Sequence, residues 1–281
     1  MKLLKYILPL LVILTFTSCS DDDDNMESIN EVVALMLVQE FTNETHIVEL
    51  YTQSGDFTQG YNNITLRIRD KVSNQFIQNA SITWTPMMHM TSRMHSCPNS
   101  DVIKVTERET IYTGYIIFQM PENSNEGWDL TINYMVDNLE YSVISDISVP
   151  MSDRQVVSVF MGADDVKYIL ALVGPESPEV AVNDMIVGLY KMESMMSFPL
   201  VEDFMIKLDP RMPSMSSHTS PNNEDLFYND VSEMYNGKLS LTMTGYWKLN
   251  LMLYNANNEL LKGEEVSGTI ESSSLYLELE F

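Results

Sequence analysis

One pattern occurs twice in this chain, and a duplication restricts the fold to two copies of one unit. His95, Pro98-Asn99, Tyr112-x-Gly114 and Met120 recur at the same spacing as His218, Pro221-Asn222, Tyr235-x-Gly237 and Met243. Trp128-x-Leu130 recurs as Trp247-x-Leu249 after a shorter step. Methionines crowd in front of each histidine: Met87, Met88, Met90 and Met94 in the first copy, Met212 and Met215 in the second. The stretch beginning Asn63-Ile64 echoes the one beginning Asp184-Met185, and each leads to a proline, Pro86 or Pro210, at the Met/His loop.

Both copies read as β. In the first, strands are expected at 33–41, 46–51, 63–69, 80–85, 114–120, 128–134 and 140–148. In the second they are expected at 156–162, 166–173, 185–192, 204–208, 237–243, 247–253 and 272–280. Turn formers separate them, among them Ser54-Gly55-Asp56, Gly174-Pro175 and the run Asn255 to Asn258. Period-two alternation places Trp247, Leu249, Leu251 and Leu253 on one face, and Met120, Met243, Trp128 and Trp247 read as core. With no helical period of useful length, the expected fold is all-β: two tandem immunoglobulin-like β-sandwich domains after a lipoprotein signal peptide. The join is expected near Val149 to Asp153, and it leaves both packing of the domains on each other and a loose tandem open.

The start of the chain reads as an export signal. Lys2 and Lys5 precede a short apolar run, and Phe16-Thr17-Ser18-Cys19 has the form of a bacterial lipobox, with Cys19 the lipidation site. Asp21 to Asp24 then form an acidic spacer. The expected divisions are residues 1–18 as signal peptide, 19–31 as lipidated acidic linker, 32–150 as the first sandwich and 151–281 as the second. The expected location is the outer membrane, held through lipid on Cys19, with the periplasmic and cell-surface sides both open and an envelope protein as the candidate partner. The 40 acids against 16 bases give a net charge of −24, which repels nucleic acid. Cys97 is the one cysteine left after Cys19, so a disulfide framework within the mature chain is excluded.

Thioether and imidazole donors suit copper(I), a soft ion, and they survive oxidation better than thiolates. The metal-ligand candidates are Met88, His89, Met90, Met94 and His95 in the first loop, with Met212, Met215 and His218 in the second. Against this stand the 21 methionines of the chain, which make clusters common and fill core gaps well. His95 and His218 could instead bond the loop backbone to fix the turn. Met192, Met195 and Met196 read as packing residues or a surface patch, and Trp84 as core or as a cap over a cation. No P-loop, G-x-S-x-G or nucleophile–base set is present, so catalysis is not expected.

The second copy resembles the YtkA-like domain family, which is related in pattern to FixH-like proteins. The likeness lies in Pro210-x-Met212-Pro213-x-Met215-x-x-His218, in Tyr235-x-Gly237 and in Thr242-Met243-Thr244-Gly245-x-Trp247, and it covers roughly residues 200 to 255 well. It implies an exported β-sandwich concerned with metal, FixH-like relatives being linked to copper supply for haem-copper oxidases, and Met212, Met215 and His218 as ligands. Ser216, Ser217 and Thr219 flank His218 where the family often has glycine. The first copy lacks the Met-Pro pair and puts Cys97 before Pro98. The acidic run after Cys19 resembles the export signal of Bacteroidetes lipoproteins. The expected function is therefore storage, buffering or transfer of copper(I). The alternative is a module without metal that presents sandwich loops to an envelope protein or a glycan.

Overall fold

The computed structural model describes residues 31–281. The expected signal peptide, Cys19 and the acidic run lie outside the described residues. Among those residues no helix is long and apolar enough to cross a membrane.

The first copy begins with β1 (Met36–Thr42), β2 (His46–Thr52) and β3 (Gly60–Asp70), then β4 (Ser81–His89) and the two-residue strands β5 (Met94–His95) and β6 (Ile103–Lys104). It ends with β7 (Tyr112–Phe118), β8 (Gly127–Val136) and β9 (Leu139–Ile147). One sheet has the order β1-β2-β3-β7-β6 and the other β5-β4-β8-β9. With β2 as strand A, these are the A-B-E-D and C′-C-F-G sheets of an immunoglobulin-like sandwich, with β1 added outside strand A. Inward residues of the two sheets interlock in one core, including Ile64, Leu66, Ile116, Phe118, Trp128, Leu130 and Ile132.

The second copy repeats this order in β10 (Val157–Met161), β11 (Lys167–Gly174), β12 (Val182–Lys191), β13 (Met205–Met212), β14 (His218–Thr219) and β15 (Glu224–Asn229). It continues in β16 (Met234–Ser240), β17 (Tyr246–Tyr254), β18 (Leu260–Lys262) and β19 (Leu275–Glu280). The D strand, β15, pairs with both β16 and β13, so the two layers run on as one 10-stranded sheet, β10-β11-β12-β16-β15-β13-β17-β18, with β14 beside β13 and β19 beside β17. Strand G is split: β18 and β19 both pair with β17, with residues 263–274 looped out between them.

The repeated residues hold this framework together. Tyr112 and Tyr235 lie within their E strands, two residues ahead of the expected starts at Gly114 and Gly237. The N–H of Ala80, just before strand C, donates to the Tyr112 hydroxyl (2.9 Å), and that of Phe204, at the same place in the second copy, donates to Tyr235 (3.3 Å). The indole N–H of Trp128 donates to the Met120 carbonyl (3.0 Å), and that of Trp247 to the Met243 carbonyl (3.0 Å). Met120 and Met243 therefore stand beyond the ends of β7 and β16, half-buried, rather than on the inward face of a strand as their spacing suggested. A Cβ on Gly114 would come 2.9 Å from the Asp101 carbonyl, and one on Gly237 2.7 Å from the Glu224 carbonyl. Each glycine thus lets the D-strand segment lie directly on strand E.

A further repeated device is Asn62 and Asn183, each just ahead of the echoed Asn63/Asp184 stretch. Asn62 accepts from the Thr58 N–H (3.0 Å) and donates to the Thr58 carbonyl (2.8 Å); Asn183 accepts from the Glu179 N–H (2.9 Å) and donates to the Glu179 carbonyl (2.9 Å). Both side chains tie down the turn into strand B, satisfying backbone groups that the sheet cannot.

The two sandwiches pack on each other. Ile117 of β7 is buried with Val157, Ile169, Ala171 and Tyr190 of the second copy, so the outer faces of the two A-B-E sheets meet. The join is pinned on both sides: Val149 belongs to the first core, the Gln59 N–H donates to the Pro150 carbonyl (3.0 Å), and the Glu278 N–H donates to the Gln155 carbonyl (2.9 Å). Glu31, assigned from sequence to the linker, already bonds the first sandwich through the N–H groups of Glu109 (2.8 Å) and Thr110 (2.9 Å).

Candidate functional site

Strand alternation divides the first Met/His loop between two faces. Met88 points inward, fully buried opposite Trp128, and His95 opposite Met88 is buried as well. The His95 Nδ1 lies 2.7 Å from the Ser96 carbonyl and its ring meets Trp128 edge-on. Met88 and His95 are thus core and turn-fixing residues, which removes them from the expected ligand set. Cys97 is buried in the same core, and burial pushes its thiol well above the ordinary range. Met90 packs partly against that core.

The other face carries a different set. His89 pairs directly with Met94 across β4 and β5, and Met87 pairs directly with Asp129 across β4 and β8. Directly opposed side chains on one face have Cβ atoms about 5 Å apart, within contact of long side chains. The His89 Nε2 is hydrogen-bonded to the Asp129 carboxylate, and among the described residues no hydrogen bond engages its Nδ1. Half of the His89 side chain is exposed (50%), whereas that of Asp129 is mostly covered (12%). Met94 is 53% exposed. A Cβ on Gly127, opposite His89, would meet nothing within 4 Å, so there is room beside the ring. Asp146, opposite Asp129, adds a second negative charge.

The second loop does not reproduce this arrangement. Met212 is buried in the core. Pro213–Met215 form a single 3-10 turn, which leaves Met215 52% exposed, and His218 is exposed on β14 although it pairs with the buried Met212. Met212 and His218 are directly opposed, but the first faces the core and the second is exposed, and Met215 is separated from His218 by left-handed backbone at Ser216 (φ 53°) and Ser217 (φ 55°). At the positions equivalent to Met87 and Asp129 stand Arg211 and Lys248, themselves a register pair. Two cations replace a thioether and a carboxylate, so the equivalence that holds for the framework fails at this face.

Met87 and Asp129 were not singled out as ligand or orienting residues from sequence. The available signal was parity: Met87, His89 and Asp129 each sit one residue from a core position, and only a known register puts them side by side. Among the described residues no three His, Cys, Asp or Glu side chains converge on a point. The outer face offers one imidazole with thioethers, beside the carboxylates of Asp129 and Asp146.

No family model matches the chain, and no curated protein matches it. Among solved structures it is similar to titin Ig tandem domains A164-A165, at 8% identity over 80% of this chain and 89% of that one, with a TM-score of 0.18. A likeness at that score carries no argument, and the immunoglobulin-like assignment stands on strand order.

Proposed function

We propose that this chain is an envelope lipoprotein that binds copper(I) on the outer face of its first sandwich. The observation that carries the reading is the His89–Met94 pair with Asp129 on the far ring nitrogen and Met87 in the neighbouring rung. The Nδ1 of His89 and the sulfurs of Met94 and Met87 supply soft donors to one ion. Asp129 orients the ring as a carboxylate behind a ligating histidine does. Binding weakens in acid, because imidazole takes a metal only when neutral. The role is storage, buffering or transfer to a partner, not catalysis, and lipid on Cys19 keeps the protein at the outer membrane. The YtkA-like and FixH-like resemblance agrees with copper handling but had pointed to the second copy.

Competition for copper(I) against a chromophoric chelator tests this. The expected result is one ion per chain, with affinity reduced about ten-fold or more in His89→Ala and Met94→Ala, and about ten-fold in Asp129→Asn. Met215→Ala and His218→Ala should match the parent. Equal competition by His89→Ala and the parent would remove the site. Fatty-acid labelling that persists in Cys19→Ser would remove the anchor.

The rival reading, a scaffold without metal, is favoured by one observation: the repeated tyrosine, glycine, methionine and tryptophan residues all serve the framework. Failure of the parent protein to compete for copper(I) would decide for it.

A further inference from the structure

Where the two sandwiches meet, a cleft of about 580 Å³ opens beside the buried contact. Its floor is Tyr115 of β7, and its opposite wall is Tyr190 with Phe198 and Leu200 from the segment after β12. The Tyr190 and Tyr115 hydroxyls are hydrogen-bonded to each other (3.0 Å), which ties the two rings together. Asp101 from the first copy and Glu233 from the second also line the cleft. Among the described residues no hydrogen bond or ion pair engages either side-chain carboxylate. No lysine or arginine lines the cleft.

We propose that this cleft binds an organic cation: an ammonium group, free or quaternary, carried on a small apolar body. Two unpaired carboxylates supply charge from opposite walls, and the aromatic residues supply apolar surface and negative ring faces. The volume suits a small molecule or a single side chain. Burial raises both tyrosines above their ordinary range; at Tyr115 the bond with Tyr190 opposes this and the Glu233 charge adds to it, while at Tyr190 Tyr115 and Tyr61 add more than Glu233 does. Both hydroxyls therefore stay neutral, and the field of Glu233 reaches the floor of the cleft. The net charge of −24 draws cations toward the molecule and disfavours anionic ligands. A neutral sugar could use the same hydroxyls and carboxylates but would gain nothing from their unpaired charge.

The inference does not depend on copper binding. It is tested on the full chain by saturation-transfer NMR and calorimetry with benzyltrimethylammonium, and with methyl glucoside as a neutral probe. The expected result is saturable binding of the cation, weakened about ten-fold in Glu233→Gln with Asp101→Asn and by added salt, and lost in Phe198→Ala. Methyl glucoside should give no transfer. Circular-dichroism melting confirms that the variants fold, and both charge variants lie at exposed positions. Absence of cation binding, binding indifferent to the two amide substitutions, or methyl glucoside binding sensitive to Phe198→Ala would each overturn the proposal.

Discussion

At the scale of single residues, buried charge is as informative as the methionines. Glu49 on β2 is 4% exposed, yet it accepts bonds from the Tyr51 hydroxyl (2.7 Å), Arg67 Nε (2.5 Å) and Arg69 Nε (3.0 Å). Burial alone would raise its pKa, but the bonds from Tyr51, Arg67 and Arg69 and the charge of Arg67 outweigh it and hold the carboxyl below the usual range. A folded-state pKa below the unfolded value of about 4.3 stabilises the protein above that pH, and the stabilisation is lost as pH falls through the folded value. Glu49→Gln should therefore cost about 3 kcal/mol at pH 7, since Arg67 loses its carboxylate partner and Arg69 keeps only Glu40 (3.5 Å) and Asn74 (2.8 Å). In denaturant titrations the gap from the parent should close as pH falls below 4.3, and a gap that stays constant with pH would contradict this account.

At the scale of elements, the repeat predicts paired effects. Each tyrosine hydroxyl of the Tyr-x-Gly motif satisfies the N–H that precedes strand C, and Tyr235 also donates to the Val201 carbonyl (2.9 Å). Removing a buried partner exposes the desolvation cost of the group left behind, about 1–3 kcal/mol. Tyr112→Phe should fall at the low end of that range, and Tyr235→Phe should cost more, as read from urea midpoints of each variant. Gly237→Ala should be worse than either, because the new methyl would meet the Glu224 backbone, which has no rotamer to move. Equal midpoints for Tyr235→Phe and the parent would show that these hydroxyls are not structural.

At the scale of the whole molecule, the two copies act as one body through the contact around Ile117, Ile169 and Tyr190. Ile117→Asp would bury an unpaired carboxylate there, and such a group separates surfaces rather than stay desolvated. The parent should melt in one calorimetric transition and Ile117→Asp in two, the first sandwich and the second unfolding apart. One transition at an unchanged midpoint in the variant would mean that the contact contributes nothing to coupling. Separation would also remove one wall of the cleft, so cation binding should vanish in the same variant.

The duplication, the β class and the alternating core were legible in the chain because local period and repeated spacing are properties of sequence alone. Trp128 and Trp247 could be placed inside without coordinates for that reason. The faces of the Met/His loops were not legible. Met88 and His89 are neighbours along the chain, but β4 sends one to the core and the other to solvent. Strand register then brings Met94, Met87 and Asp129 to His89, while at the equivalent face of the second copy it brings Arg211 and Lys248 together. Which donors meet depends on pairing between strands distant in sequence, and that choice is made only when the two sheets close over a shared core.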